Sequence, residues 1–169
     1  SIPQIEQRVT DGQELNILGS TAKVISVPGH TLDHIAYFFP ALSLRGQSAP
    51  HLFCGDTLFA GGCGRVFEGS FEQMHKSLSK LAALPTQTYI YCAHEYTQAN
   101  LRFAEAVEPE NKNLSQRIAS VNAVRKRQQP SVPSTLAIEL ATNPFLRCNE
   151  PALFSAAHAK LQREPVNSE

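Results

Sequence analysis

Three residues of metal-ligand type stand in the same local context. His30 follows the run Val24-Ile25-Ser26-Val27 and the pair Pro28-Gly29, Asp56 follows Leu52-Phe53-Cys54 and Gly55, and His94 follows Tyr89-Ile90-Tyr91-Cys92 and Ala93. Each apolar run reads as a strand, and the small residue behind it lets the chain bend so that the next side chain projects from the sheet edge. In open α/β sheets, sites form just beyond the carboxyl ends of strands, so three such ends can converge although they lie far apart in sequence. Imidazole and carboxylate suit zinc, iron and manganese, and two histidines with one carboxylate are enough to hold a single ion. Taken singly, each residue has a plainer role: a histidine after Pro-Gly serves a turn, and an aspartate at a strand end accepts backbone N–H bonds. The threefold repetition of context is what points to a shared metal site.

The elements that must carry these residues follow from pattern. Asp11-Gly12 and Gly19-Ser20 are turn signals separating short extended segments between Ile5 and Val27, and Ile35 to Phe39 reads as another strand. Residues Pro40 to Pro50, polar and interrupted by Gly46 and Ser48, read as a surface loop, with His51 to Cys54 as the next strand. Ser70-Phe71-Glu72-Gln73 has the form of a capping box, and Phe71, Met74, Leu78 and Leu81 follow helical spacing, so residues 71–83 are predicted to form an amphipathic helix on the sheet. Thr88 to Cys92 forms the strand that delivers His94. Beyond it, helices are predicted over about Thr97 to Val107, Leu114 to Gln128, Ser134 to Ala141 and Pro151 to Leu161. The alternation of strand and helix followed by helices alone indicates an α/β layer over residues 1–95 and a helical domain over 96–169.

With 169 residues the chain can bury one sizeable core and a small second lobe. Formal charge is zero, so no global field draws it to nucleic acid, and Arg125-Lys126-Arg127 reads as a solvated helix face. No apolar run is long enough to span a bilayer, which gives no membrane role. Cys54, Cys63, Cys92 and Cys148 show no C-x-x-C spacing and read as reduced thiols in a cytoplasmic protein. The chain opens on Ser1 and holds a single methionine, Met74, so residue 1 is not expected to be a native start.

Val27-Pro28-Gly29-His30-Thr31-Leu32-Asp33-His34-Ile35, the stretch Phe53 to Gly69, Cys92-Ala93-His94-Glu95-Tyr96-Thr97 and Asn143-Pro144-Phe145-Leu146-Arg147 together resemble glyoxalase II, the hydroxyacylglutathione hydrolases of the metallo-β-lactamase superfamily. The resemblance runs over almost the whole chain. It implies the second half of an αββα sandwich followed by a C-terminal helical domain that helps to bind glutathione. It also implies two divalent metal ions, zinc first with iron or manganese as alternatives. By motif position His30 binds one ion, His94 the other, and Asp56 bridges them. The implied reaction, part of methylglyoxal detoxification, is hydrolysis of S-(2-hydroxyacyl)glutathione, such as S-D-lactoylglutathione, by a hydroxide held between the metals. No side chain is assigned as a catalytic group. Arg65, Phe67 and Tyr96 match positions that contact the glutathione part. Phe67 stands where some members carry tyrosine, leaving packing without a hydroxyl contact. The implied partner is thus a small-molecule glutathione thioester, the protein being a monomer.

His34 is read as a support for a ligand histidine, Cys63 as structural, Glu95 as a minor candidate for carrying protons, and His51, His75 and His158 as surface or packing residues. The family's first ligand cluster, His-x-His-x-Asp-His, does not occur in this sequence. The chain is therefore expected to be an N-terminally truncated fragment, inactive by itself. The nearest rival is a persulfide dioxygenase with one iron held by two histidines and an aspartate. Its signature would diverge after Gly-Cys-Gly-Arg, where this chain reads Val66-Phe67-Glu68-Gly69. A rival of another class is a non-catalytic remnant.

Overall fold

The computed structural model of the chain describes residues 7–44 and 46–163. Strands β1 (Glu14–Ile17), β2 (Ser20–Ser26), β3 (Ile35–Leu44), β4 (Gln47–Gly55), β7 (Tyr89–Cys92) and β8 (Ser134–Thr135) form a six-stranded sheet in the order β1-β2-β3-β4-β7-β8. All neighbours are antiparallel except β4 and β7, which are parallel. It follows that β2, β4 and β7 run in one direction and end at one edge of the sheet. The strands β5 (Leu58–Phe59) and β6 (Gly62–Cys63) make a separate two-stranded hairpin directly after Asp56.

Helix α1 (Phe71–Ala82) begins where the sequence predicts, and both bonds of the capping box form: Gln73 N–H donates to Ser70 Oγ at 3.1 Å, and Ser70 N–H donates to Gln73 Oε1 at 2.8 Å. Its buried face, Met74, Leu78 and Leu81, packs in one core with Ile25, Ala36, Phe38, Leu52, Cys54 and Ile90 of the sheet. The opposite sheet face carries an aromatic ladder, in which Tyr37, Phe53 and Tyr91 are in register, as are Phe39, His51 and Tyr89. Phe53 stacks on Tyr91 at 4.7 Å and remains exposed.

Helices α2 (Thr97–Val107), α3 (Lys112–Lys126), α4 (Leu136–Thr142) and α5 (Pro151–Arg163) follow, with a 3-10 turn at Pro144–Leu146. Leu101 and Ala104 of α2 pack with Leu114 and Val121 of α3 in a second, smaller core. The predicted face of α3 is real, although buried Arg117 belongs to it as well.

Three expectations require correction. Residues 40–50 are not a loop: β3 continues to Leu44 and β4 begins at Gln47 around a turn with Gly46 at φ 80°. Pro40, which cannot donate to a ladder, is accommodated where the β3–β4 register shifts between Phe39 and Leu42. Ser134–Thr135 pairs with β7 rather than opening a helix, and α4 starts two residues later, at Leu136, with Thr135 as its cap. No strand precedes Asp11 among residues 7–10, while Ile5 lies outside the described residues. The turn before β2 is centred on Leu18 and Gly19, both at positive φ, which matches the twist of a two-residue hairpin.

Candidate metal centre

The shared direction of β2, β4 and β7 brings the three predicted donors to one end of the sheet. His30 lies four residues past β2, Asp56 follows β4 directly, and His94 stands two residues past β7. A backbone bond from Ala93 N–H to the Gly55 carbonyl, 3.1 Å, ties the ends of the two parallel strands together. His94 Nε2 then lies 3.1 Å from Asp56 Oδ1, with both side chains partly open to solvent.

His30 is held by the segment that follows the β5–β6 hairpin. Its Nδ1 sits 2.8 Å from the carbonyl oxygen of Arg65. A carbonyl can only accept, so Nδ1 carries the proton and the Nε2 lone pair is left to bind a cation, the arrangement usual for metal-ligating histidine. His34 has the opposite assignment. The backbone N–H of Asp56 donates to its Nε2 at 3.3 Å, so this ring supports the aspartate through the nitrogen that a ligand would use. The two imidazoles are 5.9 Å apart, edge to face.

Glycines make the close approaches possible. A Cβ on Gly64 would fall 1.8 Å from the Asp56 carbonyl oxygen and 3.5 Å from His30 Nδ1, and one on Gly55 would fall 2.7 Å from His34 Nε2. From the other side α1 fixes the end of β2: Ser77 Oγ donates to the Pro28 carbonyl at 2.7 Å and Lys80 Nζ to the Ser26 carbonyl at 2.9 Å.

Aromatic groups line the donors. Tyr96 stacks on His94 at 4.8 Å with planes 10° apart, and Phe67 contacts His30 at 5.0 Å. Arg65 places its guanidinium 5.9 Å from the centre of the Phe67 ring. Phe67 and Tyr96 are both well exposed. Arg65, Phe67 and Tyr96 thus border the donors without being used in the core.

Among the described residues, no group of three or more histidine, cysteine, aspartate or glutamate side chains is gathered closely enough to hold an ion. The donors present fit a divalent metal in chemical type and, for His30, in tautomer, and Asp56 and His94 already face each other.

The alternative nucleophiles and proton carriers are otherwise employed. Burial pushes the Cys54 and Cys63 thiols up to about 12 and raises that of Cys92, so none is a thiolate near neutrality. Glu95 accepts the Ser131 N–H at 2.8 Å and the Ser131 hydroxyl, and Arg125 lies 3.8 Å away. It anchors the segment before β8. His51 is packed between Tyr89 and Tyr91. Sequence reasoning missed Glu139, Arg117 and Asn143, a buried polar group that reaches the β5–β6 hairpin. The Asn143-Pro144-Phe145 motif was visible, but its contacts lie more than 80 positions away in the chain.

Comparison with known proteins bears on the family and the fold. Residues 95–167 match the family described as hydroxyacylglutathione hydrolase C-terminus. A hydroxyacylglutathione hydrolase of Ectopseudomonas mendocina is 51% identical over 162 residues, covering 96% of this chain and 60% of that protein. One from a Synechococcus strain is 55% identical over 157 residues, covering 93% and 59% respectively. Among solved structures, a metallo-β-lactamase from Staphylococcus aureus superposes with a TM-score of 0.55 at 22% identity, over 95% of this chain and 39% of that one. The fold is therefore that of the metallo-β-lactamases, of which this chain forms a mixed α/β part with helices behind it.

Proposed function

The chain belongs with the hydroxyacylglutathione hydrolases, spanning about 60% of the length of the relatives it matches, and on that premise we propose that it carries the second half of the active site of a thioester hydrolase. The substrate is an S-(2-hydroxyacyl)glutathione such as S-D-lactoylglutathione. Water cleaves the C–S bond, giving a 2-hydroxy acid and glutathione. The contact between Asp56 and His94 at the ends of two parallel strands is the observation that carries this reading.

His30, Asp56 and His94 would hold the divalent ions, zinc being the first choice of metal. When bound, such ions polarise the thioester carbonyl and lower the pKa of water. His30 presents Nε2 because its Nδ1–H is committed to the Arg65 carbonyl, and His34 keeps the Asp56 backbone in place. Arg65 offers its cation to a glutathione carboxylate, and Phe67 and Tyr96 pack against the peptide part. Glutathione leaves as a thiolate, so no side chain has to protonate the departing sulfur. The metal-bearing unit falls within residues 1–95, and the helices that follow residue 96 complete the substrate surface, within a monomer.

The test is thiol release from S-D-lactoylglutathione by the natural gene product, with metal content measured alongside. Asp56→Asn is expected to lower both the activity and the bound metal by more than the roughly 10–100-fold that loss of a supporting residue costs. Activity and metal content unchanged in Asp56→Asn would sink the proposal.

A further inference from the structure

The proposed chemistry leaves one fully buried charged group without a task. Glu139 on α4 has no exposed surface, and its partner Arg117 is 8% exposed. A buried ion pair is poor evidence of stabilisation by itself, because desolvation opposes the attraction, so its other contacts matter more. Arg117 donates to both carboxylate oxygens of Glu139. Glu139 Oε2 also accepts the Gly61 N–H at 2.8 Å and Asn143 Nδ2 at 3.1 Å. Asn143, equally buried, donates Nδ2 to the carbonyls of Gly62 at 2.9 Å and Phe59 at 3.2 Å. Asn100 of α2 donates to the Ala60 carbonyl at 3.1 Å. Every residue of the turn Phe59–Gly62 therefore has a backbone polar group held by a side chain from the helices.

That turn sits between the two halves of the metal site. Its hairpin begins two residues after Asp56 and ends two residues before Arg65. Gly64 N–H donates to the Thr57 carbonyl at 3.1 Å and closes the hairpin, and the next carbonyl is the one that receives His30 Nδ1–H. A slip of the hairpin moves the Arg65 carbonyl relative to Asp56 and frees the His30 ring.

We infer that Glu139 and Asn143 are positioning residues for the metal site: the helices set the spacing between Asp56 and the carbonyl that orients His30 by clamping the Phe59–Gly62 turn. This rests on the reading of His30, Asp56 and His94 as metal donors, and its test separates the two.

The experiment compares the natural gene product with Asn143→Ala. Ring nitrogen NMR shifts of His30 in metal-free protein report its tautomer. Chelator competition with cobalt(II), together with the visible absorption band of the bound cobalt, reports the donor set. The natural protein is expected to show His30 protonated at Nδ1. Asn143→Ala is expected to show a tautomer mixture, a shifted cobalt band and at least about tenfold weaker cobalt binding, in line with loss of an outer-shell support. Arg147→Met removes a part-buried ion pair with Glu108 elsewhere in the helices and is expected to lower Tm while leaving all three readouts unchanged. A His30 tautomer in Asn143→Ala identical to that of the natural protein, with cobalt affinity within about twofold, overturns the inference. Absence of cobalt binding by the natural protein sinks the metal reading, and the His30 tautomer still decides the positioning. Should Asn143→Ala fail to fold, Asn100→Ala, which removes the bond to the Ala60 carbonyl, takes its place. A shift of the tautomer in the same direction supports the clamp, and no shift overturns it.

Discussion

At Gly64 the absence of a single methyl group decides whether the chain can pass this close to the Asp56 backbone and the His30 ring. A Cβ there would overlap the Asp56 carbonyl oxygen at 1.8 Å, which is a backbone atom with nowhere to go. Gly46 offers a contrast, since its φ is 80° and nothing lies within 4 Å of the added carbon. Gly64→Ala is expected to cost at least about 2–3 kcal/mol through overpacking and to lose metal binding. Gly46→Ala should cost only the about 1–2 kcal/mol of a left-handed backbone and keep it. Urea unfolding and metal titration of the two variants check this. The same scale separates His30 from His34, only four positions apart: one donates to a carbonyl, the other accepts from an amide, and the direction of that one hydrogen bond leaves Nε2 open on His30 and engaged on His34.

At the scale of elements, α1 both completes the core and holds the site. Its apolar face covers the sheet, and Ser77 and Lys80, on turns two and three, take the carbonyls at the end of β2. The capping box fixes where the helix starts, and so which residues reach those carbonyls. Ser70→Ala is expected to destabilise the protein by about 1 kcal/mol. Measured as a lowered urea midpoint with an unchanged slope, this would show a cap lost without a change in the surface exposed on unfolding.

Across the whole molecule, acid should undo the fold in two steps. Burial keeps the His51 imidazole below its ordinary value, and among the described residues neither ring nitrogen has a hydrogen-bond partner. The unfolded chain therefore takes up this proton first, so stability is full above about pH 6.5 and falls as the pH drops below it. Carboxylates act lower down. For Glu95 and Glu108 burial favours protonation, but hydrogen bonds from Ser131, and from Arg147 and Asn111, outweigh it and hold both below the usual range. Asp11 is held down chiefly by the Ser26 N–H. Their contribution is present above about pH 4 and is lost as the pH falls through the lowered values. Unfolding free energies between pH 7 and 3 should show both declines, with His51→Phe removing the upper and Glu108→Gln shrinking the lower. A flat profile from pH 7 to 5 in the natural protein would contradict the first step.

The amino-acid sequence by itself determined the strands, turns and caps around the donors, because these depend on neighbours within a few positions. Pro28-Gly29, Gly55 and Ala93 end three strands, and Ser70 with Gln73 starts a helix, wherever the rest of the chain lies. It also determined that His30, Asp56 and His94 share a context. The hairpin over residues 40–50 was hidden because its polar residues look like a loop until pairing with a neighbour satisfies their backbone groups. Only the tertiary structure decided that β2, β4 and β7 run in the same direction, which is what brings the donors to one edge. It alone decided which nitrogen of His30 is free and that Glu139 and Asn143 reach the Phe59–Gly62 turn. Those outcomes depend on hydrogen bonds between groups 35 to 84 positions apart, and the direction and distance of such bonds are set by packing rather than by local pattern.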